Sequence, residues 1–347
     1  MSQPNVTILI PSHGRPTLLC RALAHYADFA LPLVVADSTP SPLPPQAAPA
    51  HTVYLHTPAT VYARKVRQAL EHVHTPYVAF AADDMLLSHS GLLACAAFLD
   101  ANPDYATAHG RQFQAVRRGD ELLLDASYER DFQTRVEADL PAERLLELFT
   151  TYSPTYYSVQ RLEAWQPVFD PALDGLAFYA CRELLSAMVT AINGKRAVLP
   201  VTYVLREDVP SVQKRSRDSI EKLPMLPDGP QRLERFVAHV SEHLAKRTGL
   251  PAPEARGAVD AALALYLERE CPARQRKPFW RKLPKYARRM ALALSPGIRR
   301  QQQDQTDAER AARLAAHLDH PPTLGPEERQ ELDRLAAHMR EHPPDPA

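Results

Sequence analysis

The chain has 347 residues, of which 45% are hydrophobic and 24% charged, a composition typical of a soluble globular protein with a substantial core. Its formal net charge is zero, so no overall electrostatic field favours nucleic acid as a partner. The first residues lack the basic and apolar segments of a secretory signal, and no apolar run reaches the length of a membrane span. We therefore expect a cytoplasmic protein.

Predicted strands and helices alternate in the first part of the chain, which indicates a parallel sheet. The predicted strands are the apolar runs 6–10, 33–36, 52–55 and 77–82. The last of these runs lacks polar alternation, which is typical of a strand buried on both faces. Glycine-rich fingerprints of dinucleotide-binding and P-loop proteins are absent from the sequence, which weakens both of those functional classes.

Polar side chains follow three of these strands. His13 and Arg15 come after the first strand, Asp37 after the second, and the pair Asp83-Asp84 after the run 77–82. Open parallel sheets bind ligands beyond the carboxyl ends of their strands, and these residues lie at such ends. Paired carboxylates suit a divalent cation that bridges the phosphates of a substrate. The alternative is a solvated strand-to-helix turn, in which one of the two acids caps the helix.

The second part of the chain is predicted to continue with mixed elements and then to become helical. Residues 106–126 indicate a strand, a turn and a second strand, and 141–151 indicate a helix. A further helix is predicted over 176–192, followed by a strand over 195–205. Beyond residue 224 almost every segment has helical spacing.

Four motifs occur in a fixed order: VTILIPSHGRP at 6–16, VVADST at 34–39, ARK at 63–65 and FAADD at 80–84. They resemble, in the same order and with similar spacing, the "IPTYNRP", "VVDDGST", "ARN" and "FLDDD" motifs of one protein family. That family comprises the inverting, family-2-like glycosyltransferases of the GT-A fold, of the type that builds bacterial polysaccharides and glycoconjugates. No single motif is specific, but the four together are.

The resemblance covers roughly the first hundred residues well and the stretch to about residue 208 loosely. It implies a GT-A fold, an α/β architecture with a mainly parallel sheet flanked by helices. It implies transfer of a sugar from a nucleotide-diphosphate donor to a glycan or glycolipid hydroxyl, with inversion and with Mn²⁺ or Mg²⁺ as cofactor. Together with the helical spacing beyond residue 224, it predicts a nucleotide-sugar-binding half (1–115), an acceptor-binding half (116–224) and a helical C-terminal extension (225–347).

The resemblance also implies roles for individual residues. Asp84 would hold the metal, Asp83 would assist through the ribose or a metal-bound water, and Asp37 would contact the base. The other donor-binding candidates are Pro11, His13, Arg15 and Arg64. From the residues alone, Arg64 is equally well explained as a solvated helix residue, and His13 as part of a polar loop.

Two alanines depart from the family pattern. Ala36 replaces the first acid of the pair after the second strand, and Ala82 replaces the first acid of the D-x-D pattern. One carboxylate fewer predicts a metal that binds weakly, or only together with the nucleotide. The substitutions leave open a degenerate GT-A scaffold that serves as a binding or assembly protein. A sugar-nucleotide nucleotidyltransferase is a weaker alternative, because residues 11–16 lack that class's glycine-rich loop.

Direct displacement at the anomeric carbon requires a carboxylate base on the acceptor side. Glu183 is the first candidate, because it lies on the predicted helix that ends at Gly194, where the resemblance places the catalytic acid. An exposed helical glutamate paired with a neighbouring Arg or Lys explains this residue equally well. Asp174 is the second candidate, and a helix cap is the alternative for it. Lys195 and Arg206 could reach a phosphate, although a surface role is the expected one.

A basic amphipathic segment lies between Arg274 and Leu294. Its apolar residues fall at helical spacing among several arginines and lysines, with Pro284 as an interruption. Such a segment suits an anionic membrane surface, and a lipid-linked acceptor would fit that interpretation. In that case the protein would be peripheral on the inner face of the cell membrane. The alternative is a helix pair that packs its apolar stripe on the catalytic domain.

Overall fold

The computed structural model describes residues 5–118, 121–125, 135–150, 152, 154–174, 179–209, 220, 223, 227–270 and 324–344. The strands in these ranges are β1 (Val6–Ser12), β2 (Leu33–Asp37), β3 (Thr52–His56), β4 (Tyr77–Phe80), β5 (Met85–Leu87), β6 (Tyr105–Arg118), β7 (Glu121–Asp125), β8 (Val159–Arg161) and β9 (Lys195–Glu207). They form one nine-stranded sheet in the order β3-β2-β1-β4-β8-β6-β9-β5, and β7 pairs with β6 outside this path.

Helices flank the sheet. They are α1 (Pro16–Tyr26), α2 (Tyr62–Leu70), α3 (His89–Ala101), α4 (Pro141–Thr150), α5 (Leu162–Trp165), α6 (Tyr179–Asn193), α7 (Gly229–Thr248), α8 (Ala252–Glu270) and α9 (Pro326–Glu341). No helix in the described ranges is long and apolar enough to cross a membrane. The predicted α/β class, with a sheet flanked by helices, is confirmed.

The strands β3, β2, β1 and β4 are parallel neighbours and form the half of the sheet that the sequence predicts best. In β1 the consecutive residues Ile8, Leu9 and Ile10 are all fully buried. Because consecutive strand residues point to opposite faces, both faces of this strand are covered. A strand that is covered on both faces carries apolar residues at consecutive positions, which explains the unbroken apolar runs in the sequence.

Two strands of three residues each, β5 and β8, were not predicted, and both run antiparallel to their neighbours. β8 lies between β4 and β6, so it joins the parallel half of the sheet to the second half. β5 begins directly after Asp84 and pairs with β9, with Met85 opposite Arg206. This pairing brings the end of β9 to the strand-end carboxylates.

The helices α7 and α8 pack on α4 and α6. The contact includes an aromatic group in which the ring of Tyr266 lies 5.3 Å from that of Phe149 and 5.1 Å from that of Tyr152. The predicted extension is therefore helical over 229–270. The division of the chain into three functional parts stays a prediction.

The helix α9 packs on the sheet and forms a second hydrophobic cluster with it. Its buried residues are Leu332, Leu335, Ala336 and Met339, and their partners on β5, β6 and β9 are Leu86, Phe113, Ala115 and Leu205. Leu86 faces this cluster, whereas its neighbours Met85 and Leu87 belong to the main core. The strand that follows Asp84 is thus packed on both faces.

Two helical glycines should respond in opposite ways to alanine. A Cβ on Gly91 in α3 would lie 2.4 Å from the backbone oxygen of Thr202, whereas a Cβ on Gly257 in α8 would meet nothing within 4 Å. Gly91→Ala should therefore destabilise the fold by about 1–3 kcal/mol. Gly257→Ala should stabilise it by up to about 1 kcal/mol, because alanine is the better helix former. Urea unfolding measures both free energies, and equal effects would contradict the close packing of α3 on β9.

Candidate active site

The carboxyl ends of β1, β2 and β3 meet at one edge of the sheet. Ser12 is paired with Asp37, which in turn is paired with His56. The chain after β4 reaches the same edge, because the Ser12 hydroxyl donates a 2.8 Å hydrogen bond to Asp83. The meeting of strand ends that the sequence suggests is therefore observed.

Asp83 is fully buried and is held from the side of β1. One carboxylate oxygen accepts hydrogen bonds from the Ser12 hydroxyl and from Nε of Arg15, the latter at 3.1 Å. The other oxygen forms an ion pair with Nη2 of Arg15. Burial raises the pKa of Asp83 to about 6, against the effect of the Arg15 charge, which lowers it.

Asp84 is 3% exposed and turns toward β9. Its Oδ2 lies 3.4 Å from Nη1 of Arg15 and 3.5 Å from Nη2 of Arg206. Its Oδ1 is buried and has no hydrogen-bond partner. A buried acceptor without a partner is costly, and a ligand that supplies a cation at this oxygen would remove the cost.

The Oδ1 atom of Asp84 fits a divalent cation that shares its coordination with a substrate. In the described part of the chain, no group of three or more His, Cys, Asp or Glu side chains could form a complete metal site. Mg²⁺ and Mn²⁺ commonly bind through one or two carboxylates, with water and substrate phosphates as the other ligands. Asp84 could hold such a cation once a diphosphate is present.

Asp37 is 1% exposed, and hydrogen bonds from its own neighbourhood occupy both of its carboxylate oxygens. Oδ1 accepts from the amide of Thr39 at 2.9 Å and from the Thr39 hydroxyl at 2.6 Å. Oδ2 accepts from the Tyr54 hydroxyl at 2.7 Å. A carboxylate has about four acceptor positions, and three of those of Asp37 are thus occupied. Tyr54, which the sequence analysis did not select, thus positions Asp37.

Lys65 is a second residue that the sequence analysis missed. Its ammonium group is buried between the ends of β1 and β2, where it contacts the carbonyl oxygen of Ser12 and donates to the Ser38 hydroxyl at 3.0 Å. Burial lowers its pKa to about 8, whereas Asp37 and Asp83 raise it. Arg64, the predicted residue, is exposed. Successive helical residues point about 100° apart, so only one of these two neighbours can face the sheet.

The other predicted donor-binding residues lie at the same edge. Nδ1 of His13 lies 3.0 Å from the carbonyl oxygen of Ser38, and its side chain is exposed. Pro11 is buried within β1, where it pairs with Ala36. The strand ends therefore bring together Pro11, His13, Arg15, Asp37, Asp83 and Asp84.

Glu183 lies on α6, close to the charges around Asp84. Burial of its carboxyl group raises its pKa to about 7, and the positive charge of Arg206 opposes this rise. The Arg206 side chain is 37% exposed, in line with the expected surface position, and it also contacts Asp84 and acts on Glu183. Burial also raises the pKa of Tyr157, with Arg206, Glu183 and Asp84 acting on it as well. The charges of Arg206, Glu183 and Asp84 therefore all influence the pKa of Tyr157.

Asp174 has a different environment from Glu183. Both of its oxygens accept hydrogen bonds from Arg67, each at 2.9 Å. This pair holds the pKa of Asp174 below its ordinary value, so its carboxylate is a weaker base than that of Glu183. Lys195, the other rim cation of the sequence analysis, pairs with Asp104 and Asp139 at the surface.

The fold has a counterpart among solved structures. Residues 1–349 of S. aureus TarS, a GT-A-type glycosyltransferase, align with a TM-score of 0.51 and 16% identity, covering 81% of this chain and 76% of that one. The complex of the same protein with UDP-GlcNAc aligns with a TM-score of 0.53 and 17% identity, covering 81% and 77%. No protein-family model matches the sequence, and no curated protein matches it. The structural likeness shows that this chain has the GT-A fold, as predicted.

Arg15 should limit the affinity of this site for a cation. Arg15→Gln removes a positive charge 3.4 Å from Oδ2 of Asp84, so the affinity for Mn²⁺ without nucleotide should rise by about tenfold or more. Calorimetric titration with Mn²⁺ measures this affinity. Arg64→Gln, at an exposed position of α2, is the control and should leave it unchanged. If Arg15→Gln binds Mn²⁺ no better than the wild type, Asp84 is not the cation ligand.

Proposed function

We propose that this GT-A chain is a glycosyltransferase, which moves a sugar from a nucleotide-diphosphate donor to a hydroxyl of a glycan or lipid-linked acceptor. The observation that carries the proposal is that Arg206 interacts with both Asp84 and Glu183. Arg206 contacts Asp84, which has a buried, unpartnered oxygen, and its charge also acts on Glu183, whose pKa is about 7. A strand-end carboxylate and a nearby base are what transfer from a diphosphate to a hydroxyl requires.

The donor would lie along the carboxyl edge of the sheet. Its base would approach Asp37, next to the exposed ring of His13, and its diphosphate would lie near Asp84. The fold likeness to TarS, solved in complex with UDP-GlcNAc, supports a nucleotide sugar as donor. The resident cations Arg15 and Arg206 are placed to attract the diphosphate, since both already contact Asp84.

A divalent cation, Mn²⁺ or Mg²⁺, fits the proposal. Held by Asp84, with Asp83 in support, it would neutralise the negative charge that develops on the departing diphosphate. The chain supplies few carboxylates for it, because buried alanines stand at 36 and 82. Metal binding should therefore depend on the nucleotide.

Glu183 would act as the base. Its carboxylate accepts the proton of the acceptor hydroxyl while the hydroxyl oxygen attacks the anomeric carbon. The bond from that carbon to the diphosphate breaks, and the electron pair leaves with the diphosphate. Direct displacement inverts the anomeric configuration. Burial suits Glu183 to this role because a base with a pKa near the working pH is the most effective.

The same tests distinguish this proposal from two other functions. The buried Ala36 and Ala82 favour a GT-A scaffold without activity, which would bind neither donor nor metal. A nucleotidyltransferase would instead form a nucleotide sugar from a nucleoside triphosphate and a sugar phosphate. The loop after β1 has a single glycine, Gly14, so it lacks the glycine-rich loop of that class.

The basic segment Arg274–Leu294, which motivated a membrane partner, lies outside the described residues. A cytoplasmic protein, peripheral on the inner face of the cell membrane and active in polysaccharide biosynthesis, stays our proposal for the whole chain. Nucleic acid is not among the proposed partners.

Donor binding is tested with a panel of nucleoside diphosphates and their sugar conjugates, each with and without Mn²⁺. One diphosphate should raise the melting temperature in the presence of Mn²⁺, because ligands that bind the native state stabilise it. Asp84→Ala should abolish the Mn²⁺-dependent part of the shift. Stabilisation by none of the compounds would indicate the scaffold. Turnover of a triphosphate with a sugar phosphate would indicate the nucleotidyltransferase.

The base is tested by Glu183→Gln with Asp174→Asn as the matched control. Glu183→Gln should lower kcat by about a hundredfold or more at an unchanged donor Kd, because it removes the proton acceptor. The base must be deprotonated, so the wild-type rate should rise with pH up to about 7 and then level off. Asp174→Asn should keep this profile. Loss of activity in Asp174→Asn alone would make Asp174 the base.

A further inference from the structure

Glu207, at the end of β9, forms the centre of a buried cluster of charges behind the candidate donor site. Glu207 and Arg21 are 1% and 3% exposed, and Nη1 of Arg21 forms an ion pair with Oε2 of Glu207. Arg117 of β6 binds the other carboxylate oxygen at 2.9 Å. We call Arg21, Arg117 and Glu207 the Glu207 cluster. Its two cations come from different elements, so it joins α1, β6 and β9.

The Glu207 cluster is tied to the end of α9. Nη2 of Arg117 donates to the carbonyl oxygen of Met339 at 2.9 Å, and Nη1 of Arg21 donates to that of His342 at 3.5 Å. Carbonyl oxygens at the end of a helix lack intrahelical partners and attract cations. The end of α9 thus supplies acceptors for both guanidinium groups that hold Glu207.

The same cluster is tied to Asp84 by the backbone. The amide of Glu207 donates to the carbonyl oxygen of Asp84 at 3.0 Å. The preceding residue, Arg206, contacts the carboxylate of Asp84. Because side chains alternate along a strand, holding Glu207 on one side of β9 directs Arg206 to the other side. Glu207 therefore stands between the helix and two groups of the donor site.

We propose that α9 positions the donor site through Glu207, which sets the place of Asp84 and the direction of Arg206. Glu207 is a positioning residue, since its own carboxylate faces the cluster and not the donor. The proposal rests on the proposed function only for the identity of the ligand. It assigns to α9 a role in metal-dependent donor binding, in addition to its packing on the sheet.

Arg117→Met is the informative variant, because Glu207→Gln or removal of α9 could unfold the chain. It breaks the link between Glu207 and the Met339 carbonyl at a side chain that is 22% exposed. Arg111→Met is its matched control. Arg111 lies on the same strand, is 20% exposed and binds α9 through Glu328 at 2.9 Å, at the other end of that helix. Both variants remove one contact between β6 and α9, and only Arg117→Met also removes an ion pair with Glu207.

Two measurements on the full chain test the proposal. Arg117→Met should weaken Mn²⁺-dependent binding of the nucleoside diphosphate by about tenfold or more, whereas Arg111→Met should leave this affinity unchanged. Amide hydrogen exchange should become faster at Glu207 and over 85–88 in Arg117→Met only. Similar exchange and similar affinities in the two variants would overturn the proposal and leave α9 a packing role. The exchange measurement needs no donor, so it tests the coupling even if the wild type binds no nucleotide.

Discussion

Asp83 and Asp84 bring two negative charges out of water at the end of a central strand, and the surrounding elements are arranged to compensate them. Burying a carboxylate is costly unless a cation or hydrogen-bond donors accompany it. Arg15 contacts both carboxylates, and each of them has a further partner on a different strand. Ser12 and Arg15 compensate Asp83, and Arg206 approaches Asp84 from β9. The pairing of β5 with β9 brings Arg206 to Asp84. The Oδ1 atom of Asp84 has no hydrogen-bond partner, and it is the atom proposed to bind the cation.

The environments of Glu183 and Asp174 show how one functional group takes two roles in the same protein. Both are carboxylates that the sequence offers as candidate bases, and it ranks them only by their position relative to Gly194. Burial raises the pKa of Glu183 to about 7, whereas Arg67 lowers that of Asp174. The proton affinity of each group follows from its partner and its access to water. By residue type alone, the two carboxylates are equally plausible bases. Their surroundings give them different pKa values and therefore different basicities.

Much of the fold could be predicted because buried parallel strands have a local signature, while several site residues depend on contacts that are distant in sequence. The apolar runs of β1 to β4 required no knowledge of their neighbours. The strand β8 has three residues, too few for any periodicity, and exists because β4 and β6 bind it from both sides. The choice between Arg64 and Lys65 depends on how α2 is rotated against the sheet, which the ARK motif does not encode. The pairing of Arg67 with Asp174 joins residues 107 positions apart, beyond the reach of any local pattern.

The packing of α9 also has a consequence for how this protein is made. Leu86, Phe113 and Leu205 remain an exposed apolar face until α9 covers them, and α9 is synthesised long after all three. The hydrogen bond between Ser88 and Glu331 spans 243 positions. Contacts of such long range form slowly, and exposed strands attract other chains in the meantime. During translation the nascent sheet is therefore open on one face until the helix leaves the ribosome, so chaperones that shield apolar strands should find their binding site there. A chain that ends before α9 would leave this apolar face uncovered and should be prone to aggregate.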